Sequence, residues 1–331
     1  MKAAQYSERG HPPDIINVIE IDALIPAAGE VVIDVEASPI NPSDVLTLTG
    51  DYAIRPKLPA FGGAEGVGRV AGLGEGVSEP EVGTRVFLPV GIGTWRQQVV
   101  AKADDLVPVP AGTNPLQMAM LLVNPPTAYL MLRDYVRLNP GDWVIQNAAN
   151  SAVGRYVIQL AAAQGAKSIN VVRRDDLADE LTAHGAEAVV VDGDDLARRV
   201  KQIIGDDPLK LALDAVGGEA TLRLGDSLTS GGIVVNYGLL SGDACRLSSA
   251  ATIFHDVSLR GFWLARWFRE APVGERMAVM TEMAGRVAAG DLTAAVDGCF
   301  PLEEISEALA RAMADGRDGK VLVTPNGPVS A

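Results

Sequence analysis

The residues best placed to do chemistry fall in two short strings. Val144-Ile145-Gln146-Asn147-Ala148-Ala149-Asn150-Ser151-Ala152-Val153-Gly154 passes from an apolar run, through small polar residues, into a segment of helical spacing. Ile169-Asn170-Val171-Val172-Arg173-Arg174 is a second apolar run that ends in two arginines. Strand, tight turn, helix N-terminus and second strand tip, in that order, are what a dinucleotide needs under its pyrophosphate and beside its adenosine ribose. Of the glycine fingerprint only Gly154 is in place, so the turn alone is a weak signal. The arginines sharpen it. A free ribose 2′-hydroxyl is usually held by Asp or Glu at that second tip, whereas a 2′-phosphate wants positive charge. Arg173 and Arg174 therefore predict an NADP(H) site, with Asn150, Ser151, Ala152 and Val153 as a turn small enough for backbone N–H groups to approach phosphate. Two other readings stay open: a polar strand-to-helix turn that binds nothing, and a solvated charge cluster. Asp175 and Asp176 follow at once and could cap the next helix or pair with the arginines.

The elements that must position these strings are legible in outline. Residues 1 to about 120 hold short apolar or alternating runs at 30–36, 68–73, 85–88 and 96–100, divided by Gly- and Pro-containing turns. They predict a mostly antiparallel, barrel-like β domain. The character changes around Val123-Asn124-Pro125-Pro126-Thr127, where Thr127 is the expected N-cap of a helix over residues 128–133. From Asp142 onward, expected strands at 143–147, 168–172, 188–191, 209–215, 233–237 and 257–262 alternate with helical segments such as 152–164 and 196–204. That alternation predicts an α/β fold with a doubly wound parallel sheet. Residues 272–290 and 302–314 read as helices, and 320–323 as a closing strand.

Composition bounds the function. A chain of 331 residues, 48% hydrophobic and 21% charged, has room for two domains with separate cores. A net charge of −14 argues against a nucleic-acid partner, whose phosphates need a basic footprint. It also means that any anionic ligand needs local basic residues within a repelling field. No apolar run reaches the roughly 18 residues of a membrane span. The opening Met1-Lys2-Ala3-Ala4-Gln5-Tyr6 lacks the apolar core of a signal peptide, so a cytoplasmic location is expected. Cys245 and Cys299 make no disulfide framework, and with His11, His184 and His255 scattered along the chain no metal site is expected.

Further strings carry a resemblance. Asn41-Pro42-Ser43-Asp44, Gly62-Gly63-Ala64-Glu65-Gly66-Val67-Gly68, Val82-Gly83-Thr84-Arg85-Val86 and Gly319-Lys320-Val321-Leu322-Val323 resemble the medium-chain dehydrogenase/reductase superfamily over nearly the whole length. The resemblance implies a discontinuous, GroES-like catalytic domain (residues 1–122 and 266–331) interrupted by a Rossmann-type NADP-binding domain (residues 123–265). Zinc members carry a metal-binding Cys before the Asp of the first motif and a His before the Glu of the second. Here those places hold Asn41-Pro42-Ser43 and Gly63-Ala64, as in a zinc-free branch. Val123-Asn124-Pro125-Pro126-Thr127-Ala128-Tyr129, the Asn-rich turn at 146–151, Ile169-Asn170-Val171-Val172-Arg173 and Gly261-Phe262-Trp263-Leu264 are similar to the mitochondrial-type trans-2-enoyl thioester reductases. The quinone oxidoreductases are the neighbouring group.

That resemblance implies NADPH-dependent reduction of the C=C bond of an enoyl thioester, on coenzyme A or a carrier protein, with quinone or alkenal reduction as the alternative. A protein that binds NADPH without turnover is a third reading. Tyr52 matches the proposed proton donor, a phenol being a poor acid towards water but an adequate one towards an enolate; an aromatic loop anchor is the bland reading. Asn124 is implied to contact cofactor or substrate, and Lys320 matches a late cofactor lysine. Tyr237, Gly238, Leu239 and Leu240 after the fifth expected strand, and Phe262, Trp263, Leu264 and Ala265 ending the sixth, resemble segments that cover the nicotinamide. A buried structural Trp is the alternative for Trp263. The locally basic Arg266-Trp267-Phe268-Arg269 could meet coenzyme A phosphates or an acidic carrier, or be an ordinary exposed helix start. A homodimer paired through the sixth strand is implied as well.

Overall fold

A computed structural model describes residues 1–329 of the chain. It divides into two compact units. One comprises Met1–Val123, Glu282–Gly290 and the chain from Ala294 onward; the other comprises Asn124–Thr281 and Asp291–Thr293.

The first unit is built on the ten-residue strand Glu30–Pro39. Val67–Leu73 pairs antiparallel along one edge, while Gln98–Lys102 and Lys320–Val323 share the other. Arg85–Phe87 and Val107–Pro108 extend this sheet on one side, and Val296–Phe300 extends it on the other by running parallel to Lys320–Val323. Val31, Ile33, Val35, Val70, Val86, Leu88 and Val99 fill the interior. The Glu30–Pro39 and Val67–Leu73 pair shifts register twice. Gly68 sits where a Cβ would come 2.4 Å from the Asp34 carbonyl oxygen, so only glycine lets the strands close there. A smaller sheet of Ile16–Glu20, Lys2–Tyr6 and Ala60–Phe61 packs with the helix Ile305–Met313 around Tyr6, Ile40, Leu48 and Trp95.

The second unit is a six-stranded, wholly parallel sheet. Its spatial order is Ala188–Val191, Lys167–Val172, Trp143–Gln146, Leu209–Asp214, Ile233–Asn236, Ser258–Gly261. The first strand in sequence is therefore central, and the order reverses beside it. Ligands of such sheets bind in the crevice at that reversal, beyond the strands' carboxyl ends. The central strands read as continuous apolar runs because parallel sheets are covered on both faces. This is the expected α/β architecture, with strand ends within a residue or two of the sequence reading.

Two local expectations are corrected. Thr127 is not an N-cap: the helix runs Asn124–Asp134, and Thr127 lies inside it. Pro125 and Pro126 are compatible with a first turn, because the N–H groups they lack would have had no helical acceptor. The sixth strand stops at Gly261, and Trp263 is the N-cap of the helix Leu264–Glu270, so Leu264 and Ala265 are helical rather than the end of a strand.

Candidate functional site

In the second unit the turn after Trp143–Gln146 is tightly specified. Ser151 caps the helix Ala152–Ala163, its Oγ accepting the Gly154 N–H at 3.1 Å. A Cβ on Gly154 would lie 2.4 Å from the Ala149 carbonyl oxygen, so the fingerprint's one surviving glycine is the one that lets helix and turn touch. Gln146 Nε2 donates at 2.8 Å both to the Gly154 carbonyl and to Asn170 Oδ1, fastening first strand, helix start and second strand together. Arg155 is buried in the first turn, donating to the Asn150 carbonyl and paired with Glu180. The arrangement fits a dinucleotide: a helix N-terminus with small residues Asn150, Ser151, Ala152 and Val153 around it, on the first strand of the sheet.

Arg173 and Arg174 are exposed immediately beyond Lys167–Val172, where that site requires the ribose. Arg174 Nε stands 3.4 Å from Asp176 Oδ1, an ion pair with both side chains at least half exposed and so of little energetic weight. Asp175 opens the short 3-10 turn Asp175–Leu177, whose N-cap position is held by Arg174 rather than by an aspartate. Tyr237 and Gly238 are partly buried beyond Ile233–Asn236, while Leu239 and Leu240 are exposed. Burial pushes the Tyr237 phenol up, with the Ser151 hydroxyl opposing the shift. Phe262 is buried and Trp263 half-buried. A cavity of about 470 Å³, lined by Ala197, Gly225, Leu228, Ser248 and His255, contains none of these residues.

The sequence reading missed what holds this edge together. Asp214, fully buried at the end of the fourth strand, accepts from Asn147 Nδ2 at 2.6 Å, from the Val216 and Gly217 N–H groups at 2.9 and 3.1 Å, from Thr221 Oγ1 at 2.6 Å and from Asn236 Nδ2 at 3.0 Å. Asn147 Oδ1 in turn accepts the Ala215 N–H at 2.8 Å, and Asn236 Nδ2 also donates to the Gly238 carbonyl at 2.8 Å. One carboxylate thereby fixes the loops that follow three adjacent strands.

In the first unit Tyr52 is half-buried in the loop after the helix Pro42–Thr49. Gly50 ends that helix in a left-handed conformation, and the N–H groups of Gly50, Asp51 and Tyr52 all return to the Leu46 carbonyl. The tyrosine is thus carried on a compact turn. Lys320 lies elsewhere in this unit, 6% exposed. Its ammonium donates to Asn41 Oδ1 and to the Ile40 carbonyl. Asn41 Nδ2 donates at 2.8 Å to Glu65 Oε1, and the Asn41 N–H donates at 2.7 Å to Asp44 Oδ2.

This cluster also tests a zinc site. The two motifs that hold metal in zinc members here supply Asn41, Asp44 and Glu65, with a lysine ammonium as their counter-charge. Among the described residues no group of three or more His, Cys, Asp or Glu is placed to hold a metal ion. The residues present do not fit zinc. Burial pushes Asp44 up to about 6 and Glu65 up to about 7, and drives Lys320 down to about 8, each shift reduced by the opposite charges nearby.

The alcohol dehydrogenase GroES-like domain family matches residues 27–111, and the zinc-binding dehydrogenase family matches residues 152–279. The mitochondrial enoyl-[acyl-carrier-protein] reductase of Rattus norvegicus is 39% identical over 320 residues, covering 95% of this chain and 86% of the relative. The chain belongs to the enoyl thioester reductase group of the medium-chain dehydrogenase/reductase superfamily. Among solved structures, a complex of such a reductase, Etr1p, with NADP and crotonyl-CoA has a TM-score of 0.88 at 28% identity, covering 98% of this chain and 99% of that one. The Escherichia coli quinone oxidoreductase complexed with NADPH follows at 0.87 and 25%, covering 98% and 100%. The expected cytoplasmic location is corrected by the relatives, which are named as mitochondrial proteins from rat, human, mouse and Arabidopsis thaliana. The absence of an apolar stretch in the first residues was the ground for that expectation, and it carries no information about a mitochondrial address. No helix among the described residues is long and apolar enough to cross a membrane.

The acidic cluster has a signature in stability. Between pH 4.5 and about 7 an unfolded Glu65 has lost its proton while the folded one keeps it. The folded state then binds more protons, so stability falls as pH rises through that window. Thermal melts across it should show a shallower fall in Tm for Glu65→Gln than for the parent; an identical slope would refute the assignment.

Proposed function

We propose that this chain reduces the C=C bond of trans-2-enoyl thioesters with NADPH, in fatty acid metabolism. The observation that carries the reading is the match along 95% of the chain to a reductase of that name, at 39% identity. The arginine pair at the second strand tip supports the phosphorylated cofactor, and neighbours in complex with NADP or NADPH support it independently.

When bound, the nicotinamide supplies a hydride to the substrate's β-carbon. The chain's own residues do the rest. The N-terminus of the helix Ala152–Ala163, with Asn150, Ser151, Ala152 and Val153, receives the pyrophosphate, and Arg173 and Arg174 hold the 2′-phosphate. The edge fixed by Asp214 presents Tyr237, Gly238, Leu239 and Leu240, and the turn into Leu264–Glu270 presents Phe262, Trp263, Leu264 and Ala265. Asn124 contacts cofactor or substrate. The electron pair displaced from the double bond develops as enolate charge at the thioester oxygen and the α-carbon, and Tyr52 delivers the proton to the α-carbon. The bond made at each carbon is C–H; the bond lost is the π bond. Lys320, whose ammonium is engaged with Asn41 and the Ile40 carbonyl, is assigned by family likeness to the cofactor. The exposed edge strand Ser258–Gly261 supports a homodimer formed by strand pairing.

The quinone oxidoreductase likeness keeps a second reading in view. NADPH consumption followed at 340 nm should give a far larger kcat/KM with crotonyl-CoA than with simple quinones, and the reverse order would replace this reading with the second. Arg173→Ala combined with Arg174→Ala should raise the KM for NADPH by at least tenfold, about the loss of one or two charge-assisted hydrogen bonds. The KM for NADH should stay nearly unchanged, and equal effects on both cofactors would remove the clamp. Tyr52→Phe should lower kcat about 10²-fold or more with little change in NADPH affinity. Unaltered kcat would show that another group protonates the α-carbon.

A further inference from the structure

Glu65 is fully buried, and its side chain is held from several directions. Its own carbonyl oxygen accepts Ser38 Oγ at 2.8 Å and Thr94 Oγ1 at 3.1 Å. One carboxylate oxygen accepts Asn41 Nδ2, and the other accepts the backbone N–H groups of Leu122 at 2.9 Å and Val123 at 3.0 Å. Those two residues lie in the turn between two helices. The helix Pro115–Ala119 has ended by then, with the Leu121 N–H returning to the Met118 carbonyl. The next helix starts at Asn124, and its Pro125 and Pro126 bring no N–H at all. A distant carboxylate thus takes the donors of the two residues that precede Asn124.

We propose that Glu65 is a positioning residue for Asn124: its carboxylate fixes the backbone of Leu122 and Val123, and so the placement of the side chain that follows. The proposal rests on the assignment of Asn124 to cofactor or substrate made above. Asn41, itself held by the Lys320 ammonium, orients the carboxylate from the other side. Neutralising Glu65 while keeping its shape breaks the arrangement. A glutamine has one accepting oxygen and an N–H₂ group, whereas three donors converge here, so either Asn41 or the Leu122–Val123 pair loses its acceptor. Titratable groups facing the carboxylate are Lys320 and Asp44, with Arg317 acting on Lys320. Assays at pH 8 therefore keep the parent Glu65 mostly ionised.

A double-mutant cycle tests this. The variants are Glu65→Gln, Asn124→Ala and their combination, and the readouts are kcat with crotonyl-CoA and the Kd for NADPH by fluorescence titration. Glu65→Gln should cost on the order of tenfold to a hundredfold in kcat or Kd, the scale of a misplacement of about 1 Å. In the Asn124→Ala background it should cost less than about twofold more, because a residue that acts through another is non-additive with it. Leu309→Ala weakens the core of the same unit away from the carboxylate, and should lower Tm without changing kcat or Kd. If Glu65→Gln does not fold, Glu65→Asp, which keeps the charge but falls short of the amides, takes its place in the cycle.

Multiplying effects in the double variant would overturn the proposal, as would a Glu65 effect no larger than that of Leu309→Ala at equal loss of Tm. An Asn124→Ala variant with parental kcat and Kd overturns both this proposal and the assignment of Asn124. If the parent fails to reduce crotonyl-CoA, the functional reading falls, and the cycle on the NADPH Kd still decides whether Glu65 works through Asn124.

Discussion

A carboxylate removed from water is tolerated only where donors converge on it, and each unit of this protein is organised around such a point. In the parallel sheet it is Asp214, whose two oxygens collect five donors from the ends of neighbouring strands and the loops beyond them. In the β-rich unit it is Glu65, with donors from Asn41 and from the Leu122–Val123 backbone. Leaving one such donor or acceptor unsatisfied costs roughly 1–3 kcal/mol, more where charge is involved. The loops around each carboxylate therefore hold their shapes together or lose them together.

The two centres differ in how their charge is balanced. Asp214 is surrounded by neutral amides, a hydroxyl and backbone N–H groups. Glu65 and Asp44 share their surroundings with the Lys320 ammonium, and burial moves all three towards neutrality. A buried ion cluster of this kind adds little net stability over an apolar packing, but removing one member strands the others. In zinc members of the superfamily the equivalent motifs carry a metal; here a lysine from the last strand of the unit supplies the positive charge.

The parallel sheet was legible because its strands are apolar runs of the right length between turn residues, and periodicity reports burial directly. The turn around Ser151 and Gly154 was legible because a strand-to-helix turn that packs this closely needs small residues at fixed places along the chain. Thr127 misled because a Thr after two prolines has the composition of a cap, whereas prolines at a helix start are themselves helical residues. The polar anchors were out of reach for a different reason. Asn147, Asp214 and Asn236 look like ordinary polar residues at strand ends, and nothing in a one-dimensional pattern says that three strand ends meet. Glu65 reads in the sequence only as part of a motif, because its partners at 41 and 122–123 come together only once the sheet has closed.

The strand order of the parallel sheet has a consequence for how the molecule is made. Its first strand lies at the centre and needs Leu209–Asp214 as a neighbour, and Asn147 is 67 residues from the Asp214 side chain that locks it. Closing a loop of that length comes before the contacts that reward it, which makes such pairings slow. On a growing chain the turn between Trp143–Gln146 and the helix Ala152–Ala163 is therefore synthesised long before it can be rigid. A nascent or truncated polypeptide that stops short of the fourth strand would carry the whole fingerprint in its sequence and still be unable to grip a nucleotide.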